Sequence, residues 1–405
     1  MIIAFLSILV YNSASQSFSV ENLPPKNIVL IYSDSREGVY MTKDQLLPLV
    51  VYFNDSKAID VFFDSFLFLG IIGPSGGSYE IGTANDEDWQ WLLDRLLGGG
   101  GQIKNLQDAA EEASNLLGKA IIVNVIILIP FPSSKLNFSE RVARVKNYVD
   151  EVFAKFNLAR FINLRLEGFY WMRESAPEED RQIIRAACEY VHEKGLRMYW
   201  IPYFYAYRHI TDITWRDLGF DCVMLQPNFA FYDVTVQRFS EVDKIMRRLN
   251  LTVEMELPDY VRNPNLKDWK QSFIIYLNAS LFHGWSNLSP ISYYYGNAFY
   301  KMYRDEKAYY DLLYKYVKGT LTLAEISKDY WGAIEYINAQ ANYIKSEKIK
   351  HMVFFLTILL IFVIIVIVLL TKRKPASPKA LWLNFQLTFG APQSLLQFYS
   401  FLPLA

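Results

Sequence analysis

Cysteine is nearly missing from this 405-residue chain. Only Cys188 and Cys222 occur, so a disulfide framework is excluded and a single bridge is open but unforced. Histidine is almost as scarce: His192, His209, His283 and His351 stand in no ligand spacing, and His192 lies in a helical stretch where a satisfied structural contact is the default, so no metal is expected. A surplus of either charge is also missing. With a formal net charge of −1 and no basic stripe, the chain is not expected to bind nucleic acid, because phosphate binding needs clustered Lys and Arg. No Walker or dinucleotide fingerprint follows a candidate strand, and a serine hydrolase is not expected. The run "GGGG" at Gly98 to Gly101 reads as a flexible joint between two helices. No cofactor is implied.

Apolar residues are abundant instead, at 52%. Two runs account for the excess. "MIIAFLSILVYNSAS" is too short to span a bilayer and ends in small residues at Ser13, Ala14 and Ser15, which predicts a signal peptide over 1–15. Met352 to Leu370 is a 19-residue stretch without a charge, long enough to cross the hydrocarbon core, and it predicts one transmembrane helix over 352–371. Lys372, Arg373 and Lys374 follow directly. By the positive-inside bias they lie in the cytoplasm, giving a single-pass protein of the cell membrane with its N-terminal portion extracellular. Five Asn-x-Ser/Thr sequons, at Asn54, Asn137, Asn250, Asn278 and Asn287, fit a glycosylated exterior.

Between these signals, short apolar runs alternate with stretches of helical period, the sequence form of a parallel α/β sheet or barrel. Eight strand candidates stand out: "NIVLIY" from Asn27, "DVFFDSFLFL" from Asp60, "AIIVNVIILI" from Ala120, "FINLRLEGFYW" from Phe161, "RMYWIPYF" from Arg197, "FDCVMLQPN" from Phe220, "LTVEMEL" from Leu251 and "ISYYYG" from Ile291, the last in competition with Leu281 to Trp285. Helices are predicted over 42–53, 86–97, 104–118, 139–157, 177–194, 234–248, 265–280 and 305–317, with Ser139 and Asp233 as N-caps and Pro177 in a first turn. The expected fold is a (β/α)8 TIM-like barrel over 27–320, with an open doubly wound sheet as the rival. A helical stalk over 321–350, or a brace against the barrel, leads to the span. The tail spans 372–405 and beyond Pro375 is apolar and nearly uncharged; it would lie in the cytoplasm or at the membrane interface, and with the stalk it offers a route to oligomers.

Chemistry in barrels gathers at the carboxyl ends of strands. In "LTVEMEL" alternation puts Thr252, Glu254 and Glu256 on one face and Val253, Met255 and Leu257 on the other. Along the fourth strand the same rule puts Asn163, Arg165, Glu167, Phe169 and Trp171 on the lumen face, and Glu174 follows just beyond. Carboxylates on strands four and seven are the arrangement of many barrel glycosidases, one protonating the leaving oxygen and the other attacking the anomeric carbon or activating water. Glu256, nearest the mouth, is the expected nucleophile or base, with Glu254 its electrostatic neighbour one layer deeper. The competing role is a buried ion pair, in which Arg165 neutralises Glu254 or Glu167. Aromatic residues crowd the same strand ends: Tyr170, Trp171, Trp200, Tyr203, Tyr205, Tyr207, Trp215, Phe229, Phe231, Tyr232 and Tyr293 to Tyr295. Such rings suit the C–H faces of sugars, with Gln226 and Asn228 to bind hydroxyls.

The ordered motifs "LEGFYWMRES", "YVHEKGLRMYWIPYFYA", "LGFDCVMLQPNFAF" and "VEMEL" resemble the family called domain of unknown function 4855. The resemblance covers roughly 27–320 and implies a secreted or surface barrel of glycoside-hydrolase type. It matches Gly168, Phe169, Tyr170, Trp171 and Glu174; His192, Trp200, Ile201, Pro202 and Tyr203; Gly219, Phe220, Asp221, Gln226, Pro227 and Asn228; and Glu254 with Glu256. It thereby favours Glu174 over Glu167 as general acid. Two departures stand out: an acidic residue expected soon after the last glutamate is displaced to Asp259 behind Pro258, and "YAYRHI" replaces a more Gly-rich turn. The expected protein is a membrane-anchored glycoside hydrolase acting on a polysaccharide or glycan, with lipid bilayer contact through 352–371. The alternatives are a non-catalytic glycan-binding or surface-scaffold protein, and an assembly role in which stalk, span and tail organise a membrane complex.

Overall fold

A computed structural model describes residues 24–257, 269–295, 298–329 and 331–371. The predicted signal peptide, the tail and the Pro258–Asp259 departure lie outside the described residues. Ten strands occur in the described chain: β1 (Asn27–Tyr32), β2 (Val51–Asn54), β3 (Lys57–Val61), β4 (Ser65–Leu69), β5 (Val123–Ile129), β6 (Leu164–Trp171), β7 (Arg197–Trp200), β8 (Cys222–Leu225), β9 (Thr252–Glu256) and β10 (Ile291–Tyr294). Eight of them close a parallel barrel in the order β1-β10-β9-β8-β7-β6-β5-β4. Parallel strands bury both faces, which is why β1, β4, β5 and β8 read as near-continuous apolar runs. The closed ring excludes the open doubly wound sheet.

The helices are α1 (Lys43–Val50), α2 (Asp86–Leu97), α3 (Gln102–Leu117), α4 (Phe138–Ala159), α5 (Arg181–Glu193), α6 (Gln237–Leu249), α7 (Trp269–His283), α8 (Ala298–Asp305), α9 (Lys307–Val317), α10 (Leu323–Asp329) and α11 (Trp331–Thr371). Between β7 and β8 the crossover is a 3-10 segment, Phe204–Ile210, with no α-helix. Several expected boundaries move. The run from Asp60 is two elements, because β2 and β3 form an antiparallel hairpin before the barrel strand begins at Ser65. The helix expected over 42–53 therefore stops at Val50. Asn137, not Ser139, caps α4: its Oδ1 accepts from Glu140 N at 3.0 Å and Glu140 Oε2 accepts from Asn137 N at 2.9 Å. Val236, not Asp233, is the N-cap of α6, without a side-chain bond. Leu281 to Trp285 belongs to the end of α7 and the following turn, leaving Ile291–Tyr294 as the eighth barrel strand.

Register partners in a parallel pair share a face. One such layer runs Glu254, Ser292, Ile28, Ser65, Asn124, Arg165 around the lumen. A bulge then interrupts β6: Leu166 pairs with Val125 but Gly168 pairs with Ile126, so Glu167 is an extra residue. Beyond it the alternation reverses. Gly168 and Tyr170 face the lumen, while Phe169 and Trp171 turn toward the helices, the opposite of what unbroken alternation predicts. Gly168 meets β7 so closely that a Cβ would lie 2.2 Å from the Arg197 carbonyl oxygen. Gly168→Ala is expected to destabilise the fold by about 2–4 kcal/mol, since backbone rather than a side chain must move. Denaturant unfolding of the full chain measures this, and a cost below about 0.5 kcal/mol would contradict the close β6–β7 packing.

The chain divides into two compact units, 1–340 and 341–405. In the first, Ile326 of α10 and Leu321 just before it are buried in the core. In the second, α11 carries the segment Ile344–Val368, 25 residues long and apolar enough to cross a membrane. Its large apolar side chains from Met352 to Val368 are exposed.

Candidate active site

β1, β4, β9 and β10 end at Tyr32, Leu69, Glu256 and Tyr294, and all four residues line one cavity of about 210 Å³. Tyr170, Glu174, Ile201, Gln226, Phe231 and Glu254 share its wall, placing three carboxyl groups in a single pocket at the C-terminal end of the barrel.

Glu256 is held from three directions. Its Oε2 accepts from Asn228 N at 2.6 Å and from the Tyr276 hydroxyl at 2.6 Å, and its Oε1 accepts from Asn228 Nδ2 at 3.1 Å. Asn228 can serve this way because its φ is 54°, a left-handed conformation that asparagine tolerates. Its own side chain is fixed by Phe204 N at 2.7 Å and Gln226 Oε1 at 2.8 Å. Burial raises Glu256 to about 7, against these hydrogen bonds, which favour the ionised form. Glu174 is raised to about 8, first by desolvation and then by the neighbouring Glu80 and Glu256 carboxylates, with a hydrogen bond from Gln226 opposing. Glu174 is therefore the better proton donor of the two, and Glu256 is the carboxyl whose ionised form is held by hydrogen bonds.

Glu254 is 2% exposed and its Oε1 has no hydrogen-bond partner. Burial, then Glu256 and Glu174, push it well above the ordinary carboxylate range. A carboxyl raised on folding ionises first in the unfolded chain, so stability is lost as pH rises from the ordinary value through the raised one. Glu254→Gln removes that loss. The variant's melting midpoint in detergent is expected to exceed that of the unaltered chain at pH 9 and to converge with it at pH 5; an equal offset at both pH values would contradict a buried neutral Glu254.

Other expected site residues lie elsewhere. Glu167, the bulge residue of β6, lies outside the cavity, where it accepts from Arg197 and from the Tyr199 hydroxyl at 3.2 Å, with Arg165 at 3.6 Å. Arg165 thus meets Glu167 rather than Glu254, and its guanidinium also donates to Asn124 Oδ1 at 2.7 Å. Trp171 is fully buried edge-on against Phe131, and Trp200 is stacked on Phe220 with its indole donating to Arg173 O at 2.9 Å. Neither lines the cavity. Tyr203 is half-buried outside it, and its backbone N–H donates to Glu174 O at 3.3 Å. His192 bonds Asp221 at 2.8 Å, and Asp221 in turn accepts from Met198 N at 2.7 Å. Gly219, at φ +95, leaves room for Cys188, whose Cβ would be 2.5 Å from an added Cβ. The motif residues thus split into a group that locks the β7–β8 crossover (His192, Trp200, Gly219, Phe220, Asp221) and one that builds the cavity (Tyr170, Glu174, Gln226, Asn228, Glu254, Glu256). Cys188 and Cys222 are free thiols, both buried.

Three contributors are not among the residues expected from the sequence. Tyr32 sits at a strand end and the same strand-end rule finds it. Tyr276 lies in the largely buried helix α7 and Glu80 in a long loop, and neither carries a local signal.

Fold and cavity together define a (β/α)8 barrel with a carboxylate-lined mouth. The chain belongs to the family described as Domain of unknown function (DUF4855), whose profile matches residues 27–318. No curated protein matches it. Similar solved structures include a protein of Bacteroides thetaiotaomicron assigned as an alpha-L-fucosidase, at 12% identity and TM-score 0.46, covering 77% of this chain and 99% of that one. A tryptophan synthase alpha-subunit mutant of Pyrococcus furiosus is similar at 11% identity and TM-score 0.36, covering 74% and 98%. A family 18 chitinase of Crocus vernus is similar at 11% and 0.40, covering 69% and 96%. At such values the likeness carries no information on chemistry.

Proposed function

We propose that the protein is a membrane-anchored glycoside hydrolase whose barrel faces the cell exterior. One observation carries the reading: Glu174 and Glu256 line one cavity with different environments, a mostly protonated carboxyl near about 8 and a hydrogen-bonded one near about 7. In this reaction Glu174 protonates the glycosidic oxygen as the C–O bond breaks, and Glu256 attacks the anomeric carbon or takes a proton from the attacking water. Glu254, pushed well above the ordinary carboxylate range by burial, lines the same wall. Tyr32, Tyr170, Phe231 and Tyr294 supply ring faces and edges for the sugar, and Gln226 orients the acid. A purely glycan-binding role would use the same rings but gives no account of three carboxyls gathered at one point.

The exposed apolar segment of α11 supports anchoring, and Lys372, Arg373 and Lys374 after it support an exterior barrel. The asparagines of four sequons, Asn54, Asn137, Asn250 and Asn287, are exposed, which suits that side. Asn278 is fully buried, its amide donating to Ile274 O at 2.9 Å, so it is not an acceptor in the folded chain.

The test is reducing-end release by the full chain in detergent from neutral, acidic and amino-sugar polysaccharides. Activity is expected to rise as pH passes about 7, where Glu256 ionises, and to fall beyond about 8, where Glu174 loses its proton. Release from no member of the panel, with glycan binding retained, would overturn the hydrolase reading in favour of a binding protein.

A further inference from the structure

The segment "YAYRHI" is unexplained by the cavity. It belongs to the 3-10 turn Phe204–Ile210, and with α6 it walls a separate groove of about 510 Å³, more than twice the volume of the cavity. Two guanidinium groups approach one ring there: Arg208 lies 5.9 Å and Arg248 5.8 Å from the centre of Tyr207, and Arg208 also covers Tyr205 at 5.1 Å. Arg208, Lys244 and Arg248 are all exposed. Among the described residues lining the groove the one carboxylate is Glu241, 3.6 Å from Arg238. Arg208 and Arg248 have no ion-pair partner among the described residues. Among the described residues, Arg208 and Arg248 are thus held around one tyrosine without an ion-pair partner, an arrangement completed by an anionic ligand.

We infer that this groove is a second binding site, for an acidic oligosaccharide bearing carboxylates or sulfates. Ring faces with hydroxyl tips suit pyranose units, and the guanidiniums suit their anionic substituents. The volume exceeds what a single headgroup or phosphate needs. The groove is also framed with the cavity: Phe204 N donates to Asn228 Oδ1 at 2.7 Å, and Asn228 holds Glu256. Arg238 lies flat under Phe204 at 3.8 Å with Nη1 on Pro227 O at 3.0 Å, so wall and site form one rigid piece. A chain bound in the groove would keep an acidic glycan beside the mouth between encounters.

The site goes beyond the hydrolase reading and needs no turnover. The experiment is fluorescence-anisotropy binding of labelled hexagalacturonate and of its carboxyl-reduced, neutral counterpart to the full chain in neutral-lipid nanodiscs. Expected are binding of the acidic probe that weakens with salt, at least tenfold weaker binding of the neutral one, and a loss of about tenfold for each of Arg208→Gln and Arg248→Gln. The double Lys variant R208K/R248K should retain most of the affinity, separating charge from folding damage. Equal binding of both probes, no binding of the acidic probe, or unchanged affinity in R208Q/R248Q would overturn the site. So would phosphatidylserine vesicles binding the soluble face more tightly than hexagalacturonate in an Arg208-dependent manner, which would assign the groove to a lipid surface.

Discussion

Glu256→Gln is expected to lower kcat by about 10³-fold or more on the substrate that the polysaccharide panel identifies, with KM little changed. The isosteric amide can still accept from Asn228 N and Tyr276 at the position of Oε2. Its NH2 then faces Asn228 Nδ2, where the carboxylate had accepted at 3.1 Å, at a cost of about 1 kcal/mol. Removing a buried charge offsets much of that cost, so the melting midpoint should stay within a few degrees. Glu256→Ala goes further by opening space where an anion can stand. If Glu256 is a nucleophile, azide should restore turnover by bonding to the anomeric carbon in its place and leaving as a glycosyl azide. Turnover by the Gln variant at the rate of the unaltered chain would remove Glu256 from the mechanism.

Glu174→Gln should show a different signature, one that depends on the leaving group. Protonation matters where the departing alkoxide is basic and hardly at all where it is a stabilised phenolate. Cleavage of natural glycosidic bonds is therefore expected to fall by about 10²–10⁴-fold, while nitrophenyl glycosides of the same sugar lose little in their first step. The high-pH limb should vanish as well, because burial and the Glu80 and Glu256 charges that raise Glu174 to about 8 would no longer act on an ionisable group. Equal losses on both classes of substrate, with the limb intact, would point to another acid, and Glu254 would be the next to test.

The division between these two roles rests on surroundings that local sequence conveys unevenly. "VEMEL" displays its acidic face directly, because β9 is short, unbulged and paired in register with β10 through Ser292–Glu254 and Tyr294–Glu256. Asn228 and Gln226 are readable as polar residues at a strand end. Their task of clamping Glu256 is not, since it depends on a left-handed backbone at Asn228 and on Tyr276 arriving from α7.

By itself the sequence determined the alternation of strands and helices, the long apolar segment near the C-terminus, and the strand ends at which carboxylates collect. Each is a periodicity or a run, and those survive in one dimension because they are set by nearest neighbours and solvent. The tertiary structure alone decided which aromatic residues meet the cavity. One extra residue at Glu167 rotates the rest of β6 by half a period, sending Trp171 outward against Phe131 and bringing Tyr170 inward. It also decided which charges are neighbours, tying Arg165 and Arg197 to Glu167 and leaving Glu254 in the cavity without a cation among the described residues. A bulge and a ring closure are long-range facts, fixed by how eight strands fit together.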